Sequence, residues 1–434
     1  MKKTVSFYTL GCKVNQYETN AMEQQFIKNN YEIVENTQKA DIYVINTCTV
    51  TNMAERKSRQ MLRRVKELNS KSIVVACGCY AQVAKKELEK IKEIDLILGN
   101  NEKGEIVEHV EDYIKNQEKI NIEDVMQQRE FVDFGNVTYT EKTRAVIKVQ
   151  DGCDRFCSYC IIPYARGRVR SRKPENVLAE IRKVAEEGIK EVVITGIHVA
   201  SYGKDFKTEY KLIDLLEKIN KIEGIERIRL GSIEPLLINE EFMKRLIKLE
   251  KVCHHFHLSL QSGCDETLKR MNRRYTTQQF RNIVECLRKY YEDVILTTDI
   301  IVGFPGETEE EFNETYEFLK EIKFYKMHIF KYSPRKGTKA AQMKQQIDGA
   351  KKEERSHKLI ELSDENEKSY NKKYVGKTVE VLFEEKKDNY YKGHTKNYLL
   401  AYLSEENVKD IKIENQIIKV KCIEGTKEHI LVEM

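Results

Sequence analysis

The sequence predicts an α/β chain in three parts: a doubly wound parallel sheet over residues 1–120, a partial (β/α)6 barrel over 140–370, and a small carboxyl-terminal β-barrel over 372–434. Three observations predict it. Short β-branched runs alternate with charged amphipathic stretches twice, once on each side of a polar segment. Near residue 372 that pattern gives way to short alternating runs separated by turn residues. At 434 residues the chain exceeds what one compact core accommodates, so two or three domains are expected.

In the first part, strands are expected at Val5–Leu10, Ile42–Asn46, Ile73–Ala76 and Leu96–Leu98, with helical spacing between them, as in Ala54–Leu68. Strand–helix alternation of this length implies a parallel sheet. The acidic stretch Asn116–Glu130 reads as a linker or a hairpin-bearing connection. Strands then follow at Ala145–Gln150, Val192–Thr195, Ile228–Leu230, Phe256–Leu260, Ile295–Ile301 and His328–Tyr332, separated by helices such as Glu175–Glu187 and Glu309–Glu321. Six such units, lacking a seventh and eighth, suggest an open barrel rather than a closed one. A charged helix at Gly349–Tyr370 precedes the last part. There the runs are Val379–Phe383, Tyr398–Tyr402, Ile411–Ile413, Ile417–Val420 and Ile430–Val432.

A hydrophobic content of 40% and a charged content of 33% describe a soluble globular protein. No apolar run is long enough to span a membrane. Met1-Lys2-Lys3 followed by Val5–Leu10 and Cys12 has the outline of a lipoprotein signal, but the run is too short and carries hydroxyl residues. A cytoplasmic protein is expected. The net charge of +5, from 75 basic and 70 acidic residues, is too even to name a nucleic-acid partner. Eleven cysteines, an odd number in a chain with no export signal, argue for metal binding or catalysis over a disulfide framework.

Cys153-Asp-Arg-Phe-Cys157-Ser-Tyr-Cys160 lies just past a predicted strand, at the barrel edge where active sites form. Thiolates suit iron–sulfur clusters or zinc. A structural zinc ion wants a fourth ligand, and the next candidate, His198, is a strand away. Three ligands on a four-iron cluster leave one iron open to bind a substrate and pass it an electron. A zinc knuckle or buried structural thiols remain as alternatives. Cys-x-x-x-Cys-x-x-Cys at the start of a partial barrel closely resembles the radical S-adenosylmethionine superfamily. The resemblance implies that the open iron chelates S-adenosylmethionine, whose cleavage yields a 5′-deoxyadenosyl radical. Later strand ends then supply the nucleoside pocket. The candidates are Thr195-Gly196-Ile197-His198, Gly231-Ser232-Ile233-Glu234, Ser259-Leu260-Gln261-Ser262-Gly263, and Asp299 with Val302-Gly303-Phe304-Pro305-Gly306. Of these, Gly196, Ser232, Glu234, Gln261 and Asp299 are the expected cofactor contacts, together with Tyr159 beside the cluster. No side-chain acid or base stands out, as suits chemistry carried by cofactors.

Cys12, Cys48 and Cys79 each follow a predicted strand by two or three residues, and parallel strands gather ligands at one edge. Leu10-Gly-Cys12-Lys-Val-Asn-Gln-Tyr-Glu18, Asn46-Thr-Cys48 and Gly78-Cys79-Tyr-Ala-Gln82 resemble the signatures of radical methylthiotransferases. So does the segment Cys153–Arg168. The resemblance covers essentially the whole chain and implies a radical S-adenosylmethionine core at 140–370 and a TRAM-like barrel at the carboxyl end. It also implies a second 4Fe–4S cluster on Cys12, Cys48 and Cys79. One S-adenosylmethionine methylates the sulfur and another generates the radical. Lys13-Val-Asn-Gln16 is similar to the branch that modifies threonylcarbamoyladenosine at nucleotide 37 of tRNA. The implied partners are the tRNA anticodon stem-loop, S-adenosylmethionine and an electron donor of unknown identity. The competing readings are isopentenyladenosine or a ribosomal-protein side chain as substrate, or a non-catalytic, zinc-stapled RNA-binding protein.

Three basic groups are candidate phosphate contacts: Arg166, Arg168, Arg170, Arg172 and Lys173; Arg56, Lys57, Arg59, Arg63 and Arg64; and Lys269, Arg270, Arg273 and Arg274. Phe383, Tyr390, Tyr391 and Tyr398 are candidates for base stacking. Residues 372–434 hold 12 basic and 11 acidic residues, so the last barrel is no electrostatic clamp.

Overall fold

A computed structural model describes residues 2–117, 122–137, 143–408 and 412–434. In the first part, β1 (Thr4–Thr9), β2 (Glu32–Ile33), β3 (Ile42–Thr47), β4 (Ile73–Gly78) and β5 (Leu96–Ile97) form a parallel sheet in the order β2-β1-β3-β4-β5. Only the two-residue β2 lacks a counterpart in the sequence reading, being too short to carry a pattern. The period-two alternation sorts the side chains to two faces. Val5, Phe7, Val44 and Val75 meet Phe26 and Val110 on one face, while Tyr43, Ile45, Val74 and Ala76 meet Leu62 and Val65 on the other. Thr51 starts the helix Asn52–Leu68 by accepting a hydrogen bond from the Ala54 amide at 3.1 Å.

The second part contains β6 (Arg144–Asp151), β7 (Arg170–Ser171), β8 (Glu191–Gly196), β9 (Arg227–Leu230), β10 (Ser232–Ile233), β11 (His255–Gln261), β12 (Ile295–Val302) and β13 (Lys326–Lys331). The six expected parallel strands are β6, β8, β9, β11, β12 and β13. They form an open, curled wall in two pieces, β7-β6-β8-β9 and β10-β11-β12-β13, with one isolated bridge from Ile228 to Val252 spanning the break. Helices at Pro174–Glu186 and Glu309–Ile322 cover its outer face, the latter opened by a reciprocal Thr308–Glu311 capping box.

The last part is a closed barrel of β14 (Thr378–Lys387), β15 (Tyr390–Thr395), β16 (Leu400–Ser404), β17 (Ile417–Gly425) and β18 (Ile430–Glu433), preceded by the helix Gly349–Lys372. Two expectations are corrected. Tyr390–Thr395 is a strand, paired in a hairpin that turns at Asp388 with φ +54°; Lys392 and Gly393 had obscured its alternation. Tyr398 stands outside β16, at φ +78°. The expected strand Ile411–Ile413 begins outside the described residues, and none forms at 412–413. The barrel sits under the amino ends of the core strands. Arg227 donates to the carbonyls of His394 at 2.9 Å and Glu380 at 3.0 Å, and Ile295 shares the barrel's core.

The first two parts are joined by buried charge. Glu18 accepts from Lys103 at 2.6 Å and from Lys148 and Arg166 at 2.7 Å each. Among the described residues, no helix is long and apolar enough to cross a membrane.

Candidate active site

The loop after β6 is held by its backbone. Gly152 has φ +71°, and a Cβ there would lie 1.8 Å from the Arg168 carbonyl, so only glycine passes. Beyond it the Cys153 amide donates to the Gly167 carbonyl at 3.0 Å and the Ser158 amide to the Met271 carbonyl at 3.0 Å. Cys153, Cys157 and Cys160 thereby line one end of a cavity of about 850 Å³. All six expected cofactor contacts, Tyr159, Gly196, Ser232, Glu234, Gln261 and Asp299, line it as well. Thr195, Ile197, His198, Gly231 and Ser259 do so too. The remaining candidates lie elsewhere. Ile233 and Leu260 are fully committed to the core, and Ser262 bonds Thr315 at 3.2 Å. A Cβ on Gly263 would meet Phe318 at 2.9 Å. Val302–Gly306 leaves the cavity because Phe304 is buried against Tyr159 and Tyr332.

Arg273 ties the cysteines to the pocket. It donates to Cys157 Sγ at 3.5 Å, to Glu234 at 3.1 Å and to the Ser259 carbonyl at 2.9 Å. Burial alone would raise the Glu234 carboxyl; the hydrogen bond from His198 and the charge of Arg273 outweigh it and hold the group below its usual range. Burial pushes the Cys153 thiol up to about 11 and the Cys160 thiol up to about 12. These thiols are therefore protonated at neutral pH until a metal displaces the protons.

The amino-terminal cysteines converge from three strand ends. Cys12 stands at the start of the helix Lys13–Lys28, and a Cβ on Gly11, at φ +108°, would touch Cys48 Sγ at 3.0 Å. The Cys48 thiol is pushed up to about 11, chiefly by burial, with Cys79 and Cys12 adding to it. Arg166 Nε donates to Cys79 Sγ at 3.2 Å, with Asn100 Nδ2 at 3.8 Å. Of the amino-terminal three, Cys12 lines the same cavity as Cys153, Cys157 and Cys160, so the first group reaches the second through that residue. Cys77 belongs to the opposite face of β4, buried with Val5, Val44 and Val75.

The residues fit an anionic iron–sulfur group at Cys79. Lys103, Lys148, Arg166 and Arg170 surround Glu18 and Asp151, four buried cations against two carboxylates. Burial would raise Glu18, yet Arg166, Lys103 and Lys148 hold it well below the usual carboxylate range, and Asp151 is likewise held low. The excess positive charge stands beside the Cys79 sulfur.

That network corrects the first basic group. Arg166, Arg170 and Arg172 are buried and meet no phosphate: Arg170 donates to Asn101 and the Arg166 carbonyl, and Arg172 pairs with Glu180 and Asp133. The segment threads between two domains, so its arginines turn inward to carboxylates. Arg168 and Lys173 are exposed, Arg168 beside Asp154 at 3.3 Å. Arg56, Lys57, Arg63 and Arg64 form an exposed basic face, while Arg59 is bonded to Tyr80. In the third group Lys269 and Arg274 are exposed, Arg270 is paired with Glu311, and Arg273 belongs to the cavity. Phe383 is barrel core rather than a stacking surface. Tyr390 is exposed, Tyr391 half-buried, and Tyr398 stacks between His255 and His394 at 4.5 and 4.6 Å.

Sequence reasoning missed the sulfur partners Arg273 and Arg166. It also missed the cluster of His257, Asp299 and His328, in which His257 Nε2 lies 3.2 Å from Asp299. Each member comes from a different strand, so no spacing announces the set.

Residues 147–319 match the Radical SAM superfamily, and residues 4–99 match Uncharacterized protein family UPF0004. Threonylcarbamoyladenosine tRNA methylthiotransferase MtaB of Bacillus subtilis (strain 168) is 41% identical over 429 residues, covering 97% of this chain and 94% of that protein. The chain belongs to the radical S-adenosylmethionine methylthiotransferases. It is an enzyme closely related to bacterial MtaB-type tRNA methylthiotransferases. The tRNA-2-methylthio-N(6)-dimethylallyladenosine synthase of Caldicellulosiruptor saccharolyticus (strain ATCC 43494 / DSM 8903 / Tp8T 6331) is 36% identical over 429 residues, covering 97% of this chain and 87% of that protein. The solved structure of the radical S-adenosylmethionine methyltransferase TsrM from Kitasatospora setae, with cobalamin and [4Fe-4S] cluster bound, matches with a TM-score of 0.55. It is 14% identical and covers 77% of each chain, a likeness of fold alone.

Proposed function

We propose that this enzyme adds a methylthio group to carbon 2 of N6-threonylcarbamoyladenosine at nucleotide 37 of tRNA, in the cytoplasm. The observation that carries the reading is the meeting of Cys12 with Cys153, Cys157 and Cys160 at one cavity. In this reading Cys153, Cys157 and Cys160 hold a 4Fe–4S cluster that binds S-adenosylmethionine, and Cys12, Cys48 and Cys79 hold a second. The bound clusters and S-adenosylmethionine supply an electron, a carbon radical, the methyl group and the path of the sulfur. The chain's own residues bind and orient. Glu234 and Asp299 offer carboxylates to hydroxyl or amine groups, Gly196 admits a ligand close to backbone, and Tyr159 walls the cluster end. Arg273 and Arg166 donate to ligand sulfurs and so tune both sites. At about 850 Å³ the cavity is near the upper end of the ligand-site range of roughly 300–1,000 Å³, as two ligands together require.

The partners are the anticodon stem-loop, S-adenosylmethionine and an electron donor. The 41% identity to an MtaB enzyme favours the threonylcarbamoyl substrate over the dimethylallyl one. The test is the nucleoside profile of bulk tRNA from a deletion strain. Loss of only the methylthio form of threonylcarbamoyladenosine is expected. Loss instead of the methylthio form of the dimethylallyl nucleoside overturns the substrate, and an unchanged profile overturns tRNA as the target.

A further inference from the structure

Five cationic side chains line the cavity: Lys13, Arg155, Arg229, Arg273 and Lys326. Four of them already face carboxylates. Arg155 and Arg273 lie 3.9 and 3.1 Å from Glu234, Arg229 lies 2.7 Å from Glu191, and Lys326 lies 3.0 Å from Glu367. Among the described residues, Lys13 alone of the five has no carboxylate within ion-pair distance. Glu191 acts on it from farther away but is already held by Arg229.

The position is costly for a cation. Lys13 opens the 16-residue helix Lys13–Lys28, where the helix dipole is positive and favours anions. Its side chain is exposed and lines the cavity, where the charges of Arg144, Arg229 and Glu191 and the Tyr398 hydroxyl act on it. The Tyr398 ring is fixed below Arg229, 4.7 Å from the guanidinium to the ring centre. An unpaired ammonium beside a helix amino terminus, with the nearby Arg144 and Arg229 already paired to Glu384 and Glu191, makes this corner of the cavity complementary to an anion. It adjoins Cys12, next to the proposed source of sulfur.

We propose that Lys13 binds the carboxylate on the N6 substituent of the substrate base, and so selects a threonylcarbamoyl group over an uncharged dimethylallyl group. The inference rests on the threonylcarbamoyl reading above. The threonyl group carries a carboxylate at the end of a short planar linker, whereas the dimethylallyl group has nothing for an ammonium to hold. The other cavity cations, already neutralised, contribute far less to that choice.

The test uses the full-length, cluster-loaded enzyme and three anticodon stem-loops, bearing threonylcarbamoyladenosine, its threoninamide analogue, or dimethylallyladenosine. Binding is read by fluorescence anisotropy and turnover as kcat/KM for the methylthio product. Within each protein the quantity is the ratio of carboxylate to amide substrate, so incomplete cluster loading cancels. The wild type is expected to prefer the carboxylate by about 10- to 100-fold, the range of a hydrogen bond to a charged group. Lys13→Met should bring the ratio close to one, and Lys13→Arg should restore most of it. A wild type indifferent to the carboxylate, or a Lys13→Met variant that keeps the full preference, overturns the inference alone. A wild type that modifies only the dimethylallyl stem-loop overturns the substrate reading and this inference with it. If Lys13→Met proves unstable, Lys13→Gln replaces it: a ratio close to one supports the inference, and a full carboxylate preference overturns it.

Discussion

Replacing Cys77 and Cys79 separately by alanine distinguishes a packing thiol from the proposed ligand two residues away. Cys77 is fully buried between the apolar side chains of Val5, Val44 and Val75. Its Sγ is one heavy atom, so Cys77→Ala resembles an Ile→Val change and should cost about 0.5–1.5 kcal/mol. Gly78 then turns the chain at φ +96°, where a Cβ would meet Asn46 Oδ1 and the Thr47 carbonyl at 2.6 Å each. Past that turn Cys79 aims its sulfur at Arg166 and Asn100. Cys79→Ala removes the acceptor of both donors and one proposed cluster ligand. After anaerobic reconstitution it should lose about half of the iron, as one of two four-iron clusters fails to form. It should still cleave S-adenosylmethionine to some extent, since the barrel cysteines are untouched, but form no methylthio product. Iron and acid-labile sulfide analysis, with mass spectrometry of the product nucleoside, reads both variants. If Cys77→Ala loses iron and product while Cys79→Ala keeps both, the assignment of faces to function is wrong.

Cys153→Ala, Cys157→Ala and Cys160→Ala should each abolish 5′-deoxyadenosine formation with reductant; near wild-type cleavage by any one removes the radical assignment. Arg166→Met leaves Glu18, Asp151 and Asn15 short of a buried partner and should cost roughly 3–5 kcal/mol, the range for breaking a buried ion pair. Thermal unfolding checks it, and a loss below 1 kcal/mol contradicts it. Gly152→Ala should be far more damaging than Gly135→Ala: both have positive φ, but only at Gly152 does the Cβ meet a carbonyl, at 1.8 Å, while Gly135 has open space. Glu18 and Asp151 are held below their unfolded pKa values, so the unfolded chain binds more protons as pH falls below about 4.5. The stability they contribute is present above that pH and is lost as the pH drops toward their folded values. Glu18→Gln should flatten acid unfolding in that window, and an unchanged pH slope refutes the linkage.

The sequence by itself determined the long strands and the local spacing of the cysteines. Period-two runs located every long strand of the first sheet and all six parallel strands of the barrel, because a half-buried or fully buried strand writes its faces into consecutive residues. The spacing of Cys153, Cys157 and Cys160 was legible for the same local reason, since one loop carries all three. The short strand Tyr390–Thr395 was not, because Gly393 and Lys392 interrupt its alternation and its partner β14 supplies the pairing. What only the tertiary structure decided is which side chains meet across domains. Arg166 and Arg172 read as phosphate contacts in sequence, yet they are buried ion-pair partners, because the carboxylates that claim them lie as far away as Glu18. Arg273 stands 116 residues from the sulfur it touches. Lys13 follows Cys12 in a motif legible at once, but its lack of a carboxylate partner exists only once four other cations around the cavity have found theirs. Charge compensation is a property of neighbours in space. Local periodicity and ligand spacing are properties of the chain, and a sequence carries the second without the first.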